Sequence, residues 1–408
     1  IDNNLSLEGK RKEIQRSKYG VSENRSKLLP QINAIAGYSN NFDPPVSVTD
    51  GSSYGVPYNI TQTLQHSANA GLEMQMPLFN QTLYTSMSIA KVMEEISRLS
   101  YGKAREDVIL QISKMYYLGQ VTAEQIMLIK ANITRLEELR DITQAFFDNG
   151  MSMEVDLKRV NINLENLKVQ YDNAQAMMKQ QLNMLKYIMD YPAEKEIALT
   201  PVNTDSITTV ALTGLSENIY ELQLSQSQVQ LAERQKKIIT NGYIPSLSLT
   251  GSWRYAAYTD KGYHWFHSGP SNQWFRSYGV GLTLRIPIFD GLDKTYKIKK
   301  AMIDIENKRL AWEDARKNLQ TQYLNAVNDL MNNQRNFKKQ KDNYLLAEDV
   351  YAVTSDRYRE GIASMTEVLQ DEMQMSEAQN NYISAHYNYR VTNLMLLKLT
   401  GQIESLVK

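Results

Sequence analysis

Met76-Pro77-Leu78-Phe79-Asn80 returns 210 residues later as Ile286-Pro287-Ile288-Phe289-Asp290. Self-similarity is sought before any local feature, because a missed repeat misassigns everything built on it. Around this pair, Leu29-Pro30-Gln31-Ile32 returns as Ile244-Pro245-Ser246-Leu247 and Phe147-Asp148-Asn149-Gly150 as Tyr358-Arg359-Glu360-Gly361, at offsets of 215 and 211. The offset of 211 also carries Asp156 onto Glu367, Leu185 onto Leu396 and Met189 onto Thr400. So steady a spacing over such varied segments predicts two structural repeats, 1–211 and 212–408.

Each repeat holds two segments of period two. Ile32, Ala34, Ala36 and Tyr38 share one face, and Leu72, Met74, Met76 and Leu78 another, with Glu73 and Gln75 between them. In the second repeat Leu247, Leu249, Gly251, Trp253 and Tyr255 alternate with Ser248, Thr250, Ser252 and Arg254. Val280, Leu282, Leu284, Ile286 and Ile288 likewise alternate with Gly281, Thr283 and Arg285. Four strands are predicted, about 29–38, 71–79, 244–255 and 278–289, each with one apolar and one polar face. Between the strands of each pair, 39–70 and 256–277 read as long loops. Their rings, Tyr54, Tyr58, Tyr263, Trp265, Trp274 and Phe275, suit a membrane interface.

The remainder is helical in character. From about 80 to 148 and about 290 to 358 there is no proline, and glycine appears only at Gly102, Gly119 and Gly291. At 1.5 Å per residue roughly 68 residues make a rod of about 100 Å, which a single globule cannot bury. Ile298, Ile305, Trp312, Leu319 and Ala326 recur every seven residues. After a stutter, Tyr323, Leu330, Phe337, Tyr344, Tyr351 and Tyr358 do the same, the pattern of helices packed side by side in a left-handed supercoil. Return helices are expected at about 152–190 and 362–400. A helix at about 213–241 would complete the first return path to rod length, and an N-terminal helix at 3–29 the second. Connectors at 191–211 and 401–408 would form an equatorial belt.

Composition removes several classes of function. Lys+Arg and Asp+Glu are both 45, so the formal charge is zero and no basic nucleic-acid binder is indicated. The absence of cysteine excludes a disulfide framework, a thiol nucleophile and a thiolate metal site. His264 and His267 lack acidic or thiol company, so no metal or other cofactor is expected. Gly279-Val280-Gly281 lies in strand alternation and lacks the third glycine of a dinucleotide loop. The 18 methionines, among them Met177, Met178, Met184, Met373 and Met375, read as filling for irregular core gaps. No cluster of serine, histidine and acid marks a catalytic centre, and the chain does not read as an enzyme. A mean hydropathy of -0.46 and the lack of an apolar run of about 18 residues exclude a transmembrane helix, though not a transmembrane β-barrel. The chain starts at Ile1 without a charged-then-apolar leader, which points to a processed or truncated export product.

Four strands of about nine residues cannot close a barrel, and an open edge is not tolerated in hydrocarbon, so sister subunits must complete the sheet. Two copies give eight strands with a filled interior; three give twelve and a lumen wide enough for water, which makes a homotrimer. Glu73, Gln75, Arg254, Thr283 and Arg285 then line that lumen. The expected class is an α+β membrane protein: a trimeric 12-stranded β-barrel, four strands per protomer, continuous with a long antiparallel α-helical coiled-coil tunnel.

With two copies of a strand-Pro-strand and long-helix unit, and with Phe-Asp-Asn-Gly and Tyr-Arg-Glu-Gly turns followed six residues later by Asp156 and Glu367, the chain resembles the TolC-type outer membrane efflux protein family over nearly its whole length. The resemblance implies a duct through the outer membrane of a Gram-negative bacterium, extending into the periplasm. It implies outer-membrane lipid, a periplasmic adaptor protein and an inner-membrane transporter as partners, and no nucleic acid.

The resemblance also assigns residues. The turns at Gly150 and Gly361 become the adaptor-facing tip, an entrance closed like an iris. Glu367 takes the place of the family's constriction carboxylate; the next acidic position is Gln370 here, which shifts a second acidic ring to Asp371. Tyr358 and Asp156 match a pair that hydrogen-bonds between neighbouring coils, and Ala363 stands where such members carry a basic partner. Three copies of Glu367 and Asp156 around a narrow pore would favour cations. The plainer reading of both acids is that they stabilise the first turn of a helix. Breaking three Tyr358–Asp156 bonds would take roughly 5–9 kcal/mol, enough for a closed resting state that an adaptor must open. The alternative from another class is a non-channel elongated coiled-coil scaffold or adhesin whose strands form a soluble sheet. The cargo, whether drug, metal, peptide or protein, is not encoded in any motif of the chain.

Overall fold

A computed structural model of the protein describes residues 1, 3–43, 46–50, 55, 58–62, 64–201, 214–259 and 274–407. The order is α1 (Leu5–Ser26), β1 (Gln31–Asn40), β2 (Val46–Asp50), β3 (Tyr58–Gln62), β4 (His66–Phe79), α2 (Gln81–Asp148), α3 (Glu154–Met189), α4 (Tyr220–Asn241), β5 (Ser246–Thr259), β6 (Trp274–Arg285), α5 (Asp293–Arg359), α6 (Met365–Leu399) and a 3-10 helix (Ile403–Val407). Tyr54, Tyr263, Trp265, His264 and His267 lie outside the described residues. No helix is long and apolar enough to cross a membrane among the described residues.

The chain divides into two units. One comprises 15–96 and 227–309 and holds an antiparallel sheet in the order β1-β4-β5-β6. Its register lines up Ile32, Met74, Gly251 and Val280 in one cross-strand row and Asn33, Glu73, Ser252 and Gly279 in the next. Because side chains alternate along a strand, these rows point to opposite faces, and the alternation seen along each strand becomes an apolar and a polar face of the whole sheet. At 10, 14, 14 and 12 residues the strands reach or exceed the roughly 9–11 that a tilted transmembrane strand needs. Leu78 is a bulge, since Pro77 pairs with Ser248 and Phe79 with Leu247.

Both expected loops are corrected here. The segment 256–277 holds the last residues of β5 and the first of β6, Trp274 and Phe275 among them, and β6 ends at Arg285, before Ile286 and Ile288. The segment 39–70, read as a loop, contains the β2–β3 hairpin in the register Val46 to Gln62 and the first residues of β4. Val46-Ser47-Val48-Thr49 and Tyr58-Asn59-Ile60-Thr61 carry the β-formers, but the Gly and Pro around them masked the alternation.

The second unit comprises 1–14, 97–226 and 310–408. α2 and α5 are single helices of 68 and 67 residues. The heptad series of α5 is the buried seam: Leu319, Tyr323, Ala326, Leu330, Tyr351 and Tyr358 are all buried, with Trp312, Phe337 and Tyr344 packed at its margin. The turns reuse one device. Gly150 and Gly361 have φ of 75° and 74°. Met151 N donates to Phe146 O at 2.8 Å, as Ile362 N does to Arg357 O, the bond that closes a helix end around a left-handed residue. Asp190 and Gly401, again 211 apart, end α3 and α6 in the same way, with Tyr191 N donating to Lys186 O and Gln402 N to Leu397 O.

The return paths are joined differently from the expected pairing. Asn4 Nδ2 donates to Ile188 O at 2.6 Å, so the start of α1 meets the end of α3. Ser216 N donates to Leu399 O, and Gly401 lies against Ser216, so the approach to α4 meets the end of α6. The left-handed Asp190 turns the chain away from α3, which frees that end for α1. Length arithmetic could not distinguish the two ways of sharing the short helices between the long return helices. The methionines also divide: Met365 and Met375 are buried as core, whereas Met177, Met184 and Met373 face outward from the single chain.

Candidate functional site

On the sheet, the register places Gln75 beside Thr250, Thr283 beside Ser248 and Arg285 beside Ser246, all on the polar face with Glu73. Arg254 forms an ion pair with Glu73 across β4 and β5. Of these, Glu73, Gln75, Thr250 and Arg254, with Asn33 and Ser252, border a concavity of about 460 Å³, which Thr283 and Arg285 do not line. The other face is apolar, and β6 is bare: Tyr278, Val280 and Leu282 are 77%, 80% and 66% exposed. β1 and β6 each have a free edge among the described residues.

At the helical tip, α2, α3, α5 and α6 share one core, in which Leu139, Leu164, Tyr358, Met365 and Val368 meet. Ser364 begins α6 with a capping box: its Oγ accepts from Glu367 N, while the Glu367 carboxylate accepts from Ser364 N at 2.7 Å and Oγ at 2.9 Å. The Ser364 backbone N–H, followed by its hydroxyl, holds the Glu367 carboxyl below its ordinary pKa and so keeps it charged. Met153, the equivalent start of α3, offers no side-chain cap. Asp156 instead pairs with Arg159 at 3.4 Å.

Tyr358 is buried with its ring 5.6 Å from Phe146, and its hydroxyl donates to Thr143 Oγ1 at 3.3 Å. The hydroxyl has one hydrogen, so bonding to Asp156 of a neighbouring coil would take it from Thr143. Ala363 packs against the tip core, and the cation paired with Asp156 is Arg159, whose guanidinium also reaches Thr366 Oγ1 at 3.4 Å, while Arg357 is the cation acting on Glu367. The three-residue spacing of Arg159 from Asp156 was the available signal. Asp371 is half-buried on α6.

α6 carries a second feature that the sequence reading missed. Glu372, Gln379, His386, Asn393 and Thr400 recur every seven residues and are all buried, beside the apolar seam of Val368, Met375, Tyr382, Tyr389 and Leu396. Gln379 and Asn132 of α2 bond at 2.7 Å. Glu124 of α2 accepts from Tyr382 at 2.9 Å and lies 3.2 Å from His386 Nδ1. Arg390 Nε donates to His386 Nε2 at 3.0 Å, so Nδ1 carries the ring hydrogen toward Glu124. Burial opposes charge on Glu124, yet the bonds from His386 and Tyr382 and the nearby Arg390 hold its carboxyl below the ordinary value. Burial raises the pKa of Glu372, one of whose oxygens has no partner.

Where α2 passes α4, α6 and the 3-10 helix, Glu106 is buried between two ion pairs, Arg105–Glu404 and Lys398–Asp107, each at 2.5 Å. Burial, partly offset by Lys398 and reinforced by Glu404 and Asp107, pushes the Glu106 carboxyl up to about 7.

The chain thus combines an amphipathic sheet, with two free edges among the described residues, and coiled-coil helices that turn through an acid-bearing tip. The family described as outer membrane efflux protein matches residues 1–189 and 211–402, and the chain belongs to that family. It is 21% identical to the outer membrane protein TolC of Vibrio cholerae over 399 residues, covering 94% of this chain and 84% of that protein. It is 23% identical over 379 residues to the toluene efflux pump outer membrane protein TtgC of Pseudomonas putida, covering 88% and 75%. Among solved structures, the channel CusC superposes with a TM-score of 0.81 at 16% identity, covering 98% of this chain and 89% of that one. VceC of Vibrio cholerae superposes with a TM-score of 0.77 at 14% identity, covering 98% and 93%. The protein is an outer membrane efflux protein of a Gram-negative bacterium.

Proposed function

We propose that three copies of the chain assemble into a 12-stranded barrel joined to a helical tunnel, and that the assembly conducts solutes rather than catalysing a reaction. The observation that carries this reading is the pair of sheet edges left free among the described residues, between one apolar and one polar face. In hydrocarbon each unpaired backbone group costs several kcal/mol, so β1 and β6 require neighbours, and a second copy supplies both edges at once. Exposed heptad stripes support the same reading. Val155, Ile162, Val169 and Met184 on α3, and Ile303, Leu310, Leu324 and Met331 on α5, lie at or near multiples of seven residues and are uncovered in the single chain.

In this reading the two halves of the chain, 1–211 and 212–408, are repeats of one unit. Glu73, Gln75, Thr283 and Arg285 line the barrel, and the turns at Gly150 and Gly361 meet a periplasmic adaptor that links the duct to an inner-membrane transporter. Glu367 and Asp156, with Asp371 deeper in, form an acidic entrance. Tyr358 acts as a latch if its hydroxyl is drawn from Thr143 to a neighbouring Asp156.

Planar-bilayer recording tests the assignment. Trimers should conduct and prefer cations, and Glu367→Gln combined with Asp156→Asn should shift the reversal potential in a salt gradient toward zero. Conductance with an unchanged reversal potential would remove the acids from the pore, and a soluble monomer without conductance would favour the scaffold reading.

A further inference from the structure

The helices that leave the sheet are unevenly charged. α4 ends at Asn241, close to Ser246 where β5 begins, and carries Arg234, Lys236 and Lys237 in its last two turns. α5 begins at Asp293, shortly after β6 ends at Arg285, and carries Lys294, Lys297, Lys299 and Lys300 in its first two turns. α2, which starts directly after β4, has no charged residue before Lys91. α1, which leads into β1, carries Arg25 and Glu23 in its last two turns, and Glu23 pairs with the following Lys27. The larger run of cations is therefore on the α4–α5 side of this unit.

Two of these cations are occupied, Lys294 by Asp290 at 2.9 Å and Lys297 by Asp293 at 2.6 Å. Arg234, Lys236, Lys237, Lys299 and Lys300 form no ion pair among the described residues. They are not scattered over a flat surface. Lys236, Lys237, Thr240, Met302 and Ile305 line a groove of about 730 Å³ between the two helices. The Arg309–Glu233 ion pair, at 2.7 Å, lies among its lining residues on the side away from the strands. A second groove of about 270 Å³ is lined by Gln235, Ile239, Lys297, Lys300 and Ala301. Both combine a surplus of cations with apolar patches, the first also including Glu306 and the second Asp304. Beside them Lys294 Nζ lies 5.0 Å from the centre of the Tyr243 ring and Lys299 Nζ 5.6 Å from that of the half-exposed Tyr296, amphipathic rings of the kind found at membrane boundaries.

We propose that this α4–α5 face binds anionic phospholipid of the periplasmic leaflet, with phosphatidylglycerol as the representative headgroup. The inference rests on the reading of the sheet as the membrane-embedded part of the duct. Cations immediately outside a membrane segment attract anionic headgroups by about 1 kcal/mol each, and apolar floors such as Met302 and Ile305 suit the glycerol and first methylenes of the lipid. Charge complementarity selects lipid over a sister subunit here, because the unit's basic surplus lies next to the strand ends, where a leaflet of phosphates would lie.

The test uses full-length protein reconstituted in nanodiscs of phosphatidylcholine mixed with phosphatidylglycerol, each lipid in turn spin-labelled, with conductance of the same preparation recorded separately. Wild type should immobilise phosphatidylglycerol in preference to phosphatidylcholine, less so at high salt, and excess inorganic phosphate at constant ionic strength should not displace it. Lys236→Gln with Lys237→Gln should lower the preference about tenfold or more. Lys338→Gln with Lys339→Gln, exposed on α5 far from the strands, should leave it unchanged. Equal lipid preference in wild type and the α4 variant, with conductance intact, would overturn the inference and leave the duct reading standing. Displacement by inorganic phosphate would overturn it in favour of a free-anion site. Loss of trimers in the α4 variant without a change in lipid preference would overturn it in favour of a subunit contact. Loss of conductance in wild type would instead strike the duct reading itself.

Discussion

Glu367 holds two roles in one carboxylate, and they can be separated. Glutamine at N3 can still reach back to the Ser364 backbone, so Glu367→Gln keeps the capping box and removes the charge, whereas Glu367→Ala loses both. We expect Glu367→Gln to melt within about 0.5 kcal/mol of wild type and Glu367→Ala to lose about 1 kcal/mol at the start of α6, measured by urea unfolding of purified protein. Equal losses in both would mean that the charge, not the cap, holds the turn. Glu106 is the opposite case. Burial raises its pKa to about 7, so the folded state prefers it protonated. Its contribution to stability is full below the unfolded value of 4.5 and is lost as pH rises through about 7. Glu106→Gln should therefore raise the melting temperature near pH 8 and change it little near pH 4, and a pH-independent effect would contradict the assignment.

At the scale of elements, periodicity reveals what burial imposes and nothing more. Ile32 to Tyr38 and Leu247 to Tyr255 were legible as strands because one face of a sheet repeats every two residues, and Tyr323 to Tyr358 as a seam because a coiled coil repeats every seven. The polar ladder Glu372, Gln379, His386, Asn393 and Thr400 has the same period, but polar residues at seam positions read as solvent-facing until their burial, and the α2 partners of Gln379 and His386, are in view. The end-to-end meeting of α1 with α3 was not legible at all, since Asn4 and Ile188 are joined by a single long-range bond with no periodic trace. The ladder makes a measurable prediction. Gln379→Leu should destabilise by about 1–3 kcal/mol by stranding Asn132, and Asn132→Leu with Gln379→Leu should recover most of that loss. Additive losses would mean that the two amides are not coupled.

For the whole molecule, half of the reading was carried by what a single chain leaves unfinished. The candidate site was legible to the extent that it was periodic: the polar face of the sheet could be assigned residue by residue before the register was known. The tip was different. Gly150 and Gly361 identified the turns, and the spacing of Arg159 from Asp156 was legible, but the hydroxyl of Tyr358 on Thr143 and the reach of Arg159 to Thr366 arise from separate helices meeting, which no local pattern records. Family membership supplies the export role. The subunit count rests on the geometry of an open sheet.

That count can be tested directly because the chain contains no cysteine and any disulfide introduced is the only one. Single cysteines would be placed in pairs, one on β1 at Ile32 or Ala34 and one on β6 at Val280, Leu282 or Leu284, and oxidised in native outer membranes. Closure by sister strands predicts covalent trimers for at least one register and no product from either single variant. Monomers alone at every register, in protein that remains membrane-inserted, would contradict the barrel.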